Sequence, residues 1–174
     1  MIKKIKIELV ILGILVLNIF ISSEIDKTLY NKFSSFLDQK NNIYLNSFFS
    51  DITILGDSLW VFILSIFIYA LSFFFKDKRK GRITDYLKKI SLFLFISTLV
   101  SGILTQLIKH IIGRPRPNHA LDKNIHDFNF FNFESSYHSF PSGHTTTIFV
   151  VALVLSLVTP KIKYFYILVA LIIS

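Results

Sequence analysis

Five apolar runs divide this 174-residue chain, and none carries more than one Asp, Glu, Lys or Arg. They cover Ile7–Ile21, Leu59–Phe75, Ile90–Ile112, Thr145–Val158 and a stretch from Tyr164 that is still apolar at Ser174. A helix crossing the hydrocarbon core of a bilayer needs about 20 mostly apolar residues, with a range of roughly 17–25. The second and third runs meet that length; the first and fourth meet it once polar flanks are counted, and the fifth is cut off. With 52% hydrophobic and 17% charged residues, against roughly 25% charged in a soluble domain, the chain reads as an all-α polytopic membrane helix bundle. The charge, Gly and Pro excesses of disordered, collagen-like or coiled-coil chains are absent. The lack of Cys excludes disulfides, thiol catalysis and Cys-ligated zinc. No repeat or flexible linker interrupts the sequence, so a single domain over residues 1–174 is expected.

The net charge of +8 is explained by position. Lys3, Lys4 and Lys6 precede run one; Lys76, Lys78, Arg79, Lys80, Arg82, Lys88 and Lys89 lie between runs two and three; Lys161 and Lys163 follow run four. Basic connections face the cytoplasm, and a five-helix path with a cytoplasmic N-terminus satisfies all three clusters together. Residues 22–58 and 113–144 then face outward. No basic stripe remains for nucleic acid. The basic Met1–Lys6 and the short first run also suit a signal peptide, but Ser22-Ser23-Glu24 matches a cleavage site poorly, so run one reads as an uncleaved anchor.

In the first outward segment Ile25, Leu29, Phe33, Phe36 and Leu37 recur at helical spacing among polar residues. That pattern suits an amphipathic helix in the membrane interface, and equally a helix packed on its neighbours. Gly56-Asp57-Ser58 ends the segment, with Asp57 or Ser58 able to cap run two.

The chemistry-bearing residues cluster around the second outward segment. Run three ends in Lys109-His110-Ile111-Ile112-Gly113-Arg114-Pro115-Arg116-Pro117, where Gly and Pro force the chain out of the helix. Lys109, Arg114 and Arg116 form an anion site if they converge, because cationic side chains grip phosphate oxygens. Snorkelling to lipid headgroups accounts for the same three residues. Farther on, Pro141-Ser142-Gly143-His144 opens run four. Ser142 suits an N-cap, Gly143 lets a ligand approach the backbone, and a helix N-terminus attracts phosphate-like anions. A histidine in that first turn can protonate a leaving oxygen, or it can simply occupy the interface.

Lys109, six residues, Arg116-Pro117, then 23 residues and Pro141-Ser142-Gly143-His144: this ordered pair resembles the first two signature motifs of the type 2 phosphatidic acid phosphatase family. The resemblance implies a membrane lipid phosphatase with six transmembrane helices, five of them present here. It implies that Lys109 and Arg116 hold the phosphate oxygens, that Ser142 and the Gly143 N–H bind the same phosphoryl group, and that His144 is the general acid. Arg114, between motif positions, is a headgroup contact at most. No metal or other cofactor is implied, since fixed cations supply the electrostatic stabilisation. The implied reaction is hydrolysis of a lipid phosphomonoester or pyrophosphate through a phosphohistidine. Substrate candidates are lipid A phosphate, undecaprenyl diphosphate, phosphatidylglycerophosphate and phosphatidate. Tyr137-His138-Ser139-Phe140 loosely resembles the lipid A phosphatases. The site would face the periplasm from the bacterial inner membrane.

The family's third motif, Ser-Arg, five residues, His, three residues, Asp, brings the nucleophilic histidine and its orienting carboxylate. Nothing here matches it, and His110, His119, His126 and His138 lack its spacing. The expectation is therefore a chain truncated at the C-terminus that hydrolyses little by itself. The rival expectation is a non-catalytic membrane remnant that binds anionic lipid phosphate.

Overall fold

A computed structural model describes residues 25, 28–36, 43–74, 81–116 and 128–174. The first apolar run, Leu37, His119 and His126 lie outside them. Among the described residues regular structure is entirely helical: α1 at 28–36, α2 Ile43–Ile54, α3 Ser58–Phe74, α4 Gly81–Ile112, α5 Gly143–Val158 and α6 Lys163–Ile173. Two compact units share the chain. A helical unit joins Asn46–Lys109 with Phe140–Ser174, and a loop unit joins Met1–Leu45 with His110–Ser139.

Runs two, four and five reappear as α3, α5 and α6 with boundaries shifted by a residue or two. Run three is longer than its apolar stretch: α4 starts at Gly81, nine residues before Ile90. Asp85, Lys88 and Lys89 are adequate helix formers, and no Pro intervenes, so the helix continues where hydropathy falls. Its 32 residues extend about 48 Å, well beyond the ~30 Å hydrocarbon core of a bilayer. Lys88 lies in that polar extension and sets its ammonium 4.6 Å over the Phe73 ring of α3.

α4 is long and apolar enough to cross a membrane; α2 and α3, bent by 42° at their break, pass the same test as a pair. α5 is apolar but shorter. In the break, Asp57 Oδ1 accepts the Leu59 N–H at 3.0 Å and so caps α3. Helix α2 was no part of the sequence expectation, because Asn46, Ser50 and Asp51 interrupt its apolar residues. Residues 28–36 are helical as expected, with Leu29, Phe33 and Phe36 about half exposed.

The helical unit buries small residues and exposes large ones. On α3, Ser65 is 1% exposed and Ser72 0%, whereas Leu59 is 64% and Ile63 60% exposed. On α4, Thr84, Ser91, Thr98 and Thr105 recur at every seventh residue, two helical turns apart, and all four are buried. Small side chains on one face let helix backbones approach closely. Their hydroxyls mostly bond their own helix: Ser65 donates to Phe62 O at 2.8 Å, Ser91 to Lys88 O at 3.0 Å and Thr98 to Leu94 O at 2.8 Å. Between these hydroxyls, Val61, Leu94 and Val154 make a core cluster of α3, α4 and α5, with Trp60 and Ile90 packed against it. Ile148 and Ala152 of α5 pack on Ala170 of α6, and Thr145 Oγ1 donates to Ser174 O at 3.3 Å. Helix α6 thus runs back to the level at which α5 begins.

Candidate active site

The two motif segments begin at ends of helices, and each end is fixed by local rules. Ser142 has extended backbone angles, φ −71° and ψ 125°, and its Oγ accepts the Thr145 N–H at 3.3 Å. It is the N-cap that the sequence predicts. First-turn N–H groups of a helix have no intrahelical acceptor; Ser142 takes that of Thr145, and those of Gly143 and His144 head the helix. The positive end of the α5 dipole is therefore presented at this Gly-His pair.

Lys109 reaches the same helix end. Its Nζ lies 3.9 Å from where a Cβ on Gly143 would stand, so the ammonium sits beside the backbone that opens α5. One turn earlier on α4, Thr105 Oγ1 donates to Thr146 Oγ1 at 3.2 Å, and Thr146 Oγ1 donates to Ser142 O at 2.9 Å. This chain of hydroxyls ties α4 to the first turn of α5. His144 and Ser142 are exposed, Lys109 and Gly143 half-buried. Four of the six predicted residues thus come together in the helical unit as a cation, a helix N-terminus and an exposed imidazole, an arrangement able to bind a tetrahedral oxyanion and protonate it.

Arg114 and Arg116 belong to the loop unit. Gly113 adopts φ +55°, in the left-handed region, and a Cβ there would fall 1.7 Å from Asn129 O; only glycine fits. Gly113 O accepts the Asn129 N–H at 2.9 Å, Arg114 O accepts both the Ser139 N–H at 3.2 Å and its hydroxyl at 3.1 Å, and the Arg116 N–H donates to Ser136 O at 2.8 Å. The segment Gly113–Arg116 is in this way pinned on residues 129–139. Arg116 is exposed while Arg114 is only 8% exposed, so the structure separates the motif arginine from its neighbour. His110 and His138 of this unit have ring centroids 4.4 Å apart and planes tilted by 53°, and His138 Nε2 lies 2.9 Å from Asn132 O. Among the described residues no three His, Asp or Glu cluster as metal ligands would.

Sequence reasoning missed two contributors. Thr105 carried no signal beyond being small and polar. Gly56 was noticed only as part of a helix stop, yet a Cβ on it would stand 2.6 Å from His144 Cβ.

Comparison with known proteins bears on the same stretch. Residues 90–174 match the PAP2 superfamily. The chain is 33% identical over 116 residues to a lipid A 1-phosphatase of Rhizobium etli, covering 64% of this chain and 50% of that protein. It is 34% identical over 116 residues to a lipid A 1-phosphatase of Rhizobium johnstonii, covering 64% and 48%. The chain spans about half the length of these curated relatives. No solved structure matches it at a significant level.

Proposed function

The chain belongs to the PAP2 superfamily, the type 2 phosphatidic acid phosphatases, and from that premise we propose that it supplies the phosphate cradle and general acid of a membrane lipid phosphatase. The observation that carries the proposal is Lys109 Nζ beside Gly143 at the head of α5, with His144 in the helix's first turn. Lys109, the Gly143 N–H and the Ser142 hydroxyl hold the phosphoryl oxygens, and Arg116 joins them by its place in the family motif. These fixed charges and dipoles stabilise the negative charge that spreads over the oxygens during transfer.

In the proposed reaction a nucleophilic imidazole attacks phosphorus while the bond to the lipid oxygen breaks. His144 gives its proton to that departing oxygen. Water then attacks the phosphohistidine, His144 takes the proton from the water, and inorganic phosphate leaves. The nucleophile belongs to the family's third motif, which has no match in residues 1–174.

The substrate is an amphiphilic phosphate. Because the similar proteins are named lipid A 1-phosphatases, the 1-phosphate of lipid A is the first to try, followed by undecaprenyl diphosphate and phosphatidate. A bilayer setting is supported by the exposed Leu59 and Ile63 of α3 against its buried serines, an exterior suited to acyl chains. We place the chain in the bacterial inner membrane with five spans, a cytoplasmic N-terminus and the motif loop in the periplasm. That topology combines the long apolar α4 with the distribution of Lys and Arg.

The test is phosphate release from lipid A, undecaprenyl diphosphate and phosphatidate by the protein expressed from its whole reading frame. His144→Ala should lower turnover about 10²- to 10⁴-fold while membrane insertion is unchanged. Equal turnover in the variant overturns the role of His144. Binding of phosphate without release from any of these lipids favours a lipid-binding remnant instead.

A further inference from the structure

Gly56 is buried in the break between α2 and α3, and the space that its side chain would fill belongs to His144. A Cβ on Gly56 would meet His144 Cβ at 2.6 Å, Cδ2 at 2.8 Å and Cγ at 3.0 Å. Non-bonded carbons rest at about 3.5–4.0 Å, so the missing side chain permits the approach. Backbone conformation gives no other reason for glycine here, because φ of Gly56 is outside the left-handed region.

The turn beneath His144 is firmly built. Leu55 N–H donates to Ile52 O at 3.0 Å, Gly56 N–H to Thr53 O at 2.9 Å and Asp57 N–H to Ile54 O at 3.1 Å. Trp60 Nε1 donates back to Leu55 O at 2.9 Å, and the Trp60 ring packs against the Val61, Leu94 and Val154 cluster. Asp57 caps α3. A turn held at each of its peptides and anchored to the core yields little. The Cβ of His144 moves only with its own backbone, so rotating the imidazole does not relieve the closest contact. An added methyl must displace the first turn of α5, where Gly143 lies next to Lys109.

We propose that Gly56 is a positioning residue: its bare Cα is the seat on which His144 rests, and it sets the register of the α5 N-terminus against Lys109. This rests on the proposed role of His144 as general acid. A displacement of about 1 Å at a catalytic group can cost about 100-fold in rate.

The experiment uses the protein expressed from its whole reading frame, in detergent, with ¹⁵N-labelled histidine. Gly56→Ala should lower kcat on the best lipid phosphate by about 10- to 100-fold with KM changed less than about threefold, and should shift the His144 side-chain resonances. Asp57→Ala, which removes the α3 cap and leaves the seat open, should keep kcat within about twofold and leave those resonances in place. Gly56→Ala should also lower the thermal midpoint of the parent but not of a His144→Gly background, where the methyl finds vacated space. Unmoved His144 resonances, or an equal fall in thermal midpoint in both backgrounds, overturns the seat, whatever happens to kcat. Moved resonances and a background-dependent midpoint with no change in kcat uphold the contact but overturn the positioning role if His144→Ala is inactive. If His144→Ala is then equally active, the general-acid reading fails instead.

Discussion

Lys109 and the first turn of α5 are held in the helical unit by side chains small enough to let backbones approach, Gly56 under His144, Gly143 beside Lys109 and Thr105 against Thr146. In the loop unit, Gly113–Arg116 is held by main-chain groups: Gly113 O, Arg114 O and the Arg116 N–H each bond a residue between 129 and 139. The two motif segments, helical and loop halves of the pattern, therefore have opposite sensitivities. Added volume should damage the helical half, whereas a forbidden backbone angle should damage the loop half. Loss of a single hydroxyl should matter little in either.

The largest effect is expected at Gly113. Alanine there must hold φ +55°, which costs an L-residue about 1–2 kcal/mol. It must also displace Asn129 O from a position 1.7 Å away, giving up a backbone hydrogen bond whose net loss adds about 1 kcal/mol. Hydrogen exchange in Gly113→Ala should accelerate at the Asn129 and Ser139 amides while amides in the middle of α5 keep their protection. Equal acceleration in α5 would break the comparison, because it would mean that the two units do not open separately.

The helical half is tested by adding volume. Ser65 is 1% exposed on the packed face of α3, and its hydroxyl bonds only its own helix at Phe62 O. Ser65→Leu should cost about 1–3 kcal/mol through overpacking, read as a lowered midpoint of reversible unfolding in mixed micelles. Ser65→Ala, by contrast, should cost under about 1 kcal/mol, since it removes a donor and leaves the face open. A leucine tolerated as well as alanine would show that closeness of α3 is not what positions the site.

What was legible in the sequence follows the same division. Hydropathy located α3, α5 and α6 to within a residue or two, and capping chemistry located Ser142, because a buried stripe and an N-cap are written in neighbouring residues. It lost the first nine residues of α4, since Asp85, Lys88 and Lys89 support a helix without supporting a span. The motif spacing singled out Lys109, Gly143 and His144, and the fold brings Lys109 to the head of α5. It said nothing about Gly56, which precedes His144 by 88 residues and acts through absent atoms. The period-seven row of Thr84, Ser91, Thr98 and Thr105 was present in the sequence, but a hydropathy count registers these residues as interruptions. Motif spacing set Arg116 apart from Arg114, but burial was not legible there; only the fold shows Arg114 buried and Arg116 exposed.

The smallest expected effect probes the one hydroxyl of that row shown bonding another helix. Thr105 Oγ1 donates to Thr146 Oγ1 at 3.2 Å, and Thr146 Oγ1 keeps its own acceptor in Ser142 O at 2.9 Å. Thr105→Val removes the donor while retaining the branched shape, so no cavity opens and Thr146 loses only an accepted bond. Interhelical hydrogen bonds of this kind average about 0.6 kcal/mol in membrane proteins. The thermal midpoint should accordingly fall by no more than a few degrees, and kcat should stay within about twofold, because the contacts at Gly56 and Gly143 still set the approach of α5. A tenfold fall in kcat would reverse that assignment. It would place the register of the α5 N-terminus in the Thr105–Thr146 bond rather than in the close packing of small residues.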